Sequence, residues 1–314
     1  MLWLLFIVAA LLLSWYALPE AWTHALLWLG RRGAGLRSQS TSVNGLKWHY
    51  LAGGHGPVLL AIHGFGADAD HWLRVAPRLR RHFRIVAPDL IGFGSSDPGE
   101  GLAFDIDSQV DRLAKLVSHL GIRPCVVAGS SMGGWIAARF VQRHPKYARA
   151  LWLLDPLGVR DCEPGQLLVR ISEKRDSPLE IATIEDFERW VYRPMFSHPP
   201  PMPRPLRLHY GRHAIRRRAA HAAMFSEIIA SPAPLEEIVK DIDMPILLLW
   251  GTRDQAVHVS GAKCLEPLIR RGRVLRQDDV GHLPMLESAR LTARQFLEFA
   301  DDHGLRDKPM NERE

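Results

Sequence analysis

Val126-Val127-Ala128-Gly129-Ser130-Ser131-Met132-Gly133-Gly134-Trp135-Ile136-Ala137-Ala138 is the stretch whose reading decides the fold. Cys125 to Ala128 is a short apolar run of the kind that forms a buried strand. Beyond the serines, Trp135, Ala138, Arg139 and Val141 recur at helical spacing until His144-Pro145 ends the pattern. Strand and helix meet at Gly129-x-Ser131-x-Gly133. A serine on so sharp a turn is held clear of the chain in a strained conformation. Its neighbours two residues away on either side must be small, because backbone crosses there. The spacing selects Ser131 rather than Ser130 as nucleophile. The N-terminus of the following helix aims the Met132 amide at any oxyanion that develops there.

Working outward, the same alternation repeats. Asn44-Gly45 turns a hairpin between Ser40–Val43 and Leu46–Leu51. Val58–Ile62 is an apolar strand running into His63-Gly64-Phe65-Gly66, followed by a helix with Trp72, Val75 and Leu79 on one face. Arg84–Ala87 is a strand running into Pro88-Asp89-Leu90-Ile91-Gly92-Phe93-Gly94-Ser95-Ser96-Asp97. Asp107–Leu120 is an amphipathic helix stopped by Gly121. After the serine helix come the strands Ala150–Leu154, Pro245–Trp250 and Arg273–Leu275, with a helix over Ser260–Ile269 and a last one from Ser288 to about Asp302. Short apolar strands alternating with helices make an α/β fold: a mostly parallel sheet covered on both faces, with its chemistry at the carboxyl ends of the strands.

From Pro156 to Lys240 the rhythm breaks. Helical stretches at Ile184–Tyr192 and Ala214–Ala230 flank a proline run, Pro199 to Pro205, and a basic patch, Arg216-Arg217-Arg218, expected to face solvent. This reads as a helical cap inserted over the site. The expected organisation is an anchor at 1–30, a core in two parts at 38–156 and 241–303, a cap at 157–240 and a polar tail at 304–314.

With 314 residues, 47% hydrophobic and 24% charged, the composition is that of an ordinary globular chain. The net charge of +6 is diffuse and comes with no nucleic-acid motif, so no nucleic acid is expected as partner. Cys125, Cys162 and Cys264 are odd in number and widely spaced, which argues against a disulfide framework or a metal site. The N-terminus is different. Leu2 to Leu18 carries no charge, and those seventeen residues would span about 26 Å as a helix. Trp15, Tyr16, Trp22 and Trp28 supply interfacial aromatics, and Arg31-Arg32 the first basic pair. This predicts a single membrane anchor. Arg31, Arg32 and Arg37 put the catalytic part on the cytoplasmic side by the positive-inside rule. The alternative is a cleaved signal peptide and export, for which a basic leader and a small-x-small cleavage site are lacking.

A serine hydroxyl needs an imidazole to take its proton, and the imidazole needs a carboxylate to hold it in one tautomer. Asp254 follows the strand ending in Trp250-Gly251, and His282 follows the next, so both emerge on the same sheet edge as Ser131. The rival acid is Asp155, after the Ala150–Leu154 strand. Asp278 and Asp279 are too near His282 in sequence to orient it. Among the other histidines, His63 is assigned to shaping the loop that donates the Phe65 amide, His144 ends a helix, and His258 is expected on the surface.

The HGFG loop, PDLIGFGSSD, GSSMGG, LLLWGTRDQAV and VGHLPMLE together resemble the α/β-hydrolase superfamily over residues 38–303. With its hydrophobic N-terminus the chain is most similar to membrane-anchored monoacylglycerol lipases and related bacterial lipases and esterases. The resemblance implies hydrolysis of a small-molecule or lipid ester through an acyl-enzyme on Ser131, without cofactor or metal. It carries the acid to Asp254, the base to His282, and the oxyanion donors to Phe65 and Met132. Leu157, Met195, Phe196, Met224, Phe225 and Leu283 are the candidate walls of an acyl pocket. Ser131 excludes dehalogenases and epoxide hydrolases, which use a carboxylate nucleophile. Carbon–carbon bond hydrolases of ring-cleavage products keep the same three residues and stand as the alternative. A ligand-binding scaffold without activity would require the loss of a catalytic position.

Overall fold

The computed structural model describes residues 2–306. Eight strands form one sheet: β1 (Arg37–Val43), β2 (Leu46–Gly53), β3 (Val58–Ile62), β4 (Arg84–Pro88), β5 (Pro124–Ser130), β6 (Ala150–Leu154), β7 (Ile246–Gly251) and β8 (Gly272–Gln277). Their order is β1-β2-β4-β3-β5-β6-β7-β8. Only the β1–β2 and β2–β4 pairs are antiparallel; the rest of the sheet is parallel. Asn44 and Gly45 turn the β1–β2 hairpin with φ of 51° and 80°, as the Asn-Gly signal predicts.

The central strands are apolar throughout because both faces are covered. Alternation along each strand sends Leu60, Ile62, Val127, Leu151, Leu153, Leu248 and Trp250 to one core. Leu59, Ala61, Val126, Ala128, Trp152, Leu154 and Leu247 go to the other. Crossing over these faces are α3 to α5 in the first half of the domain: Ala76–Leu79, Ile106–His119 and Met132–Arg143. The helix expected around Trp72 is instead a 3₁₀ turn, Ala69–Trp72, followed by α3, yet Trp72, Val75 and Leu79 are all buried as the spacing required. Ahead of the sheet lie α1 (Leu2–Ala17) and α2 (Pro19–Ala34).

The cap holds α6 (Gln166–Glu173), α7 (Ile184–Asp186) continued by a π-helical turn at Phe187–Tyr192, α8 (Arg204–Ile229) and α9 (Leu235–Lys240). The helix expected from Ala214 begins ten residues earlier, at Arg204, directly after Pro203. Its first half has no apolar stripe for the sequence to reveal, because α8 packs α2 on one side and the cavity on another. The basic patch is not uniformly solvated. Arg217 is half-buried and donates to the Gly92 carbonyl at 2.9 Å, while Arg218 lies at the cavity wall. After the cap, α10 (Ser260–Leu265), α11 (Pro284–Glu287) and α12 (Ala289–Asp302) complete the second half. Leu305 is 2% exposed and belongs to the core, so the tail expected from Gly304 starts later. Its residues Asp307–Glu314 lie outside the described residues.

Among the described residues no single helix is long and apolar enough to cross a membrane; Phe6–Ala17 and Pro19–Ala34 pass that test only as a pair, bent by 100°. Pro19, which lacks an amide hydrogen and is suited to a first helical turn, accounts for the break. α1 is apolar all round and exposes Trp3, Leu4, Phe6 and Leu13. α2 does not continue it. It lies against α8, and Arg31 forms a two-pronged pair with buried Asp70 at 2.8 Å on both nitrogens. The expected boundary at residue 30 therefore falls inside α2, which packs against the cap helix α8.

Candidate active site

Ser131 sits between β5 and α5 with φ 54° and ψ −123°, a conformation that L-residues rarely adopt. The crowding inferred for its neighbours is real. A Cβ on Gly129 would strike the Gly133 carbonyl, and one on Gly133 would strike the carbonyls of Ile62 and His63. Ser130 is fully buried, its hydroxyl without a partner among the described residues. Ser131 instead faces a cavity.

His63 holds the loop opposite. Its Nε2 accepts from the Leu90 amide at 3.0 Å, so Nδ1–H donates to the Gly64 carbonyl at 2.7 Å. Burial lowers its pKa and keeps the ring neutral, as that pattern requires. Gly64 thereby comes so near Ser131 that a Cβ on it would stand 3.2 Å from the serine Cβ. Among the described residues neither the Phe65 nor the Met132 amide has a protein acceptor.

Asp254 and His282 meet in the interior. His282 Nδ1–H donates to Asp254 Oδ2 at 2.7 Å, with the residues 3% and 5% exposed. Asp254 Oδ1 takes the amides of Ala256 at 2.7 Å and Val257 at 3.0 Å. Asp155 is there too: its Oδ1 accepts the Gly251 amide at 2.8 Å. A carboxylate oxygen each of Asp155 and Asp254 and a ring nitrogen of His282 lie within 4.8 Å of one another. The short bond from His282 Nδ1 to Asp254 is that of a charge-assisted hydrogen bond, and it leaves Nε2 as the ring's free acceptor. His282 and Ser131 line the same cavity, but no hydrogen bond joins them. His144 and His258 lie elsewhere, His258 half-exposed against Ser260.

The cavity measures about 650 Å³ and is predominantly apolar. Of the six residues expected to wall an acyl pocket, Leu157, Met195, Phe196, Phe225 and Leu283 line this cavity and Met224 does not. On α8 the cavity takes Tyr210, Ala214, Arg218, His221 and Phe225, spaced at three and four residues, while Met224 and Ile228 turn toward the sheet core. Two contributions were missed by sequence reasoning. α2 adds Leu26, Leu27, Gly30, Gly33 and Ala34 to the wall, for which the small residues Gly30 and Gly33-Ala34 were the available signal. Glu287, inside the quoted VGHLPMLE, clamps the histidine loop to the cap. It accepts the amides of Gly281 at 2.9 Å, Ser197 at 3.2 Å and His198 at 2.6 Å, while the His282 amide donates to Met195 at 2.9 Å.

Residues 58–295 match the model of the alpha/beta hydrolase family. Lipase 3 of Moraxella sp. (strain TA144) is 29% identical over 248 residues, 78% of each chain. The monoacylglycerol lipase ABHD6 of Homo sapiens is 26% identical over 307 residues, covering 93% of this chain and 90% of its own. Among solved structures, a membrane phospholipase A described as a bacterial virulence factor superposes with a TM-score of 0.88 at 35% identity, over 96% of this chain and 98% of its own. The order of strands, the serine elbow and the family match agree: the chain belongs to the alpha/beta hydrolase family.

Proposed function

We propose that this carboxylic ester hydrolase cleaves lipid esters, with monoacylglycerols and related single-chain amphiphiles as its substrate class. The observation that carries this reading is the cavity: a largely apolar space of about 650 Å³ lined by Ser131 and by His282, whose ring is bonded to Asp254. It has the size and lining to hold an acyl chain. The lipase and monoacylglycerol lipase relatives support the same class.

In this mechanism Ser131 Oγ attacks the ester carbonyl and passes its proton to His282 Nε2. Asp254 stabilises the imidazolium, and the amides of Phe65 and Met132 receive the oxyanion. His282 returns the proton to the leaving alcohol. Water then releases the fatty acid from Ser131 by the same route. The hydrogen bond from Ser131 Oγ to His282 Nε2 forms as the acyl group fills the cavity.

A series of p-nitrophenyl esters and monoacylglycerols of increasing chain length tests the substrate class, with turnover expected to rise toward longer chains. Inactivity across the series, with turnover of a dienone acid, would establish the carbon–carbon hydrolase instead. A fluorophosphonate probe should label wild type and Ser130→Ala but not Ser131→Ala. We also propose attachment to a membrane through α1, supported by its exposed apolar surface and by the membrane phospholipase A likeness. Detergent should be needed to extract the protein; release by high salt alone would argue against attachment through α1.

A further inference from the structure

Asp155 is fully buried, at the end of β6 with φ 44°, and takes no part in the steps above. It is not a bystander. Its Oδ1 is satisfied by the Gly251 amide, but its Oδ2 is buried with no donor among the described residues. Its acidic neighbour is Asp254, a carboxylate oxygen of each lying within 4.8 Å of the other. Two ionised carboxylates are both acceptors and cannot bond each other. One proton resolves both facts at once. It turns the orphaned oxygen into a donor and makes the contact between the two acids attractive.

The proton belongs on Asp155. Asp254 already receives three donors, the amides of Ala256 and Val257 and His282 Nδ1–H, and all three favour its ionised form. Asp155 receives one. Desolvation pushes the Asp155 carboxyl well above the usual range, and the negative charges of Asp254 and of Glu287 on α11 push it further. His282 faces the same cluster from the loop after β8 and is engaged by Asp254.

We propose that Asp155 is a positioning residue of the triad: a neutral carboxylic acid whose Oδ2–H donates to Asp254 as that carboxylate's fourth hydrogen bond. This role rests on the triad assigned above. It orients Asp254 and spreads its charge, so that the carboxylate fixes His282 without gripping its proton too tightly. Asp155 here is the opposite of a second catalytic base, because it acts only while it keeps its proton.

The test separates a neutral donor from a charge. Asp155→Asn keeps both bonds, accepting from Gly251 through its carbonyl and donating to Asp254 through its amide, and asparagine tolerates positive φ. Asp155→Ala removes both. The readout is the pH dependence of Ser131 labelling by a fluorophosphonate, together with kcat/KM on a p-nitrophenyl ester. Asp155→Asn should stay within about threefold of wild type, with the acid limb of the profile unmoved. Asp155→Ala should lose at least about tenfold, with that limb moved up by roughly half a pH unit, as expected when a hydrogen bond to a charged group is lost. A downward shift in Asp155→Asn would mean that a negative charge had been removed, and would overturn the proposal. So would an Asp155→Ala profile that loses melting temperature but keeps its limb. If Asp155→Ala does not fold, the limb of Asp155→Asn decides alone. A wild-type protein that takes no label at Ser131 would fail the hydrolase reading itself, and this proposal with it; a labelled wild type with the wrong limb would fail only the proposal.

Discussion

At the scale of single residues, the site is a set of backbone constraints that leave a few side chains in one orientation. Ser131 keeps a conformation that costs about 1–3 kcal/mol in isolation, and the crossing of Gly129 and Gly133 makes it possible. Asp254 is the sharpest example. Its two oxygens divide their work, Oδ1 to the turn amides and Oδ2 to His282. Asp254→Asn would keep the shape but offer an amide nitrogen to one of those sets of donors. The turn would hold the amide oxygen, and the NH₂ would face His282 and reverse its tautomer. Loss of about 10⁴ in kcat with little change in KM is expected, by the logic of a triad whose acid sets the tautomer. Steady-state kinetics beside a melting curve checks this; equal losses of stability and rate would point to misfolding instead. Ser131, Asp254 and His282 were legible in the sequence as candidates because each follows a strand, β5, β7 and β8, at the same edge of the sheet. Asp155 was legible as a residue but not as a role. Its position at a strand end made it look like a competing acid, and only the donor count around each carboxyl distinguishes the two.

At the scale of elements, legibility followed how each one is buried. The parallel strands are immersed on both faces and so read as continuous apolar runs, and the sheet could be laid out from them. α8 could not, because it meets three different environments along its length and has no single period. α2 carries mixed signals for a similar reason. Its aromatics and its Arg31-Arg32 pair look like the flank of a membrane span, yet Trp22 donates to Ser14 Oγ at 3.1 Å, folding the bend closed, and Arg31 reaches Asp70. That pair ties the helix to the 3₁₀ turn beside the HGFG loop. The Arg31 side chain is 23% exposed and that of Asp70 6%, so removing the arginine strands a buried carboxylate. Arg31→Met should cost about 2 kcal/mol and lower the melting temperature by roughly 3 °C. Because Leu26, Leu27 and Gly30 lie on the same helix and on the cavity wall, turnover of long-chain esters should fall more than that of acetyl esters. An equal fall on both would mean that α2 supports the fold without shaping the acyl site.

At the scale of the whole molecule, the cavity imposes a condition on pH. Enclosing an apolar space between cap, α2 and sheet has trapped imidazoles in it. Burial is the largest cause in each case, lowering His71 to about 3 and His213 and His221 to about 4, with neighbouring positive charges such as Arg217 adding to the last two. Unfolded, these rings would titrate near the ordinary value of about 6.5. Between that value and their folded values the unfolded chain binds protons that the native protein refuses. Stability from this source is therefore complete above about pH 6.5 and falls steadily as the pH drops toward 4. Buried Asp155 and half-buried Asp68, whose pKa values are raised, work in the other direction, because their native forms keep protons that the unfolded chain gives up as pH rises above the ordinary carboxylate range. The net curve mixes both, so the test must isolate one ring. His221 is 7% exposed, stacks on Phe93 at 5.7 Å between ring centres and leaves Nε2 unpartnered. His221→Phe keeps the stack and removes only the proton site. The variant should melt at or above wild type at pH 7, and the gap should widen in its favour down to about pH 4. A gap that stays constant with pH would mean that His221 accepts its proton in the folded protein as readily as in the unfolded one, and the enclosure of the cap over this part of the cavity would have to be redrawn.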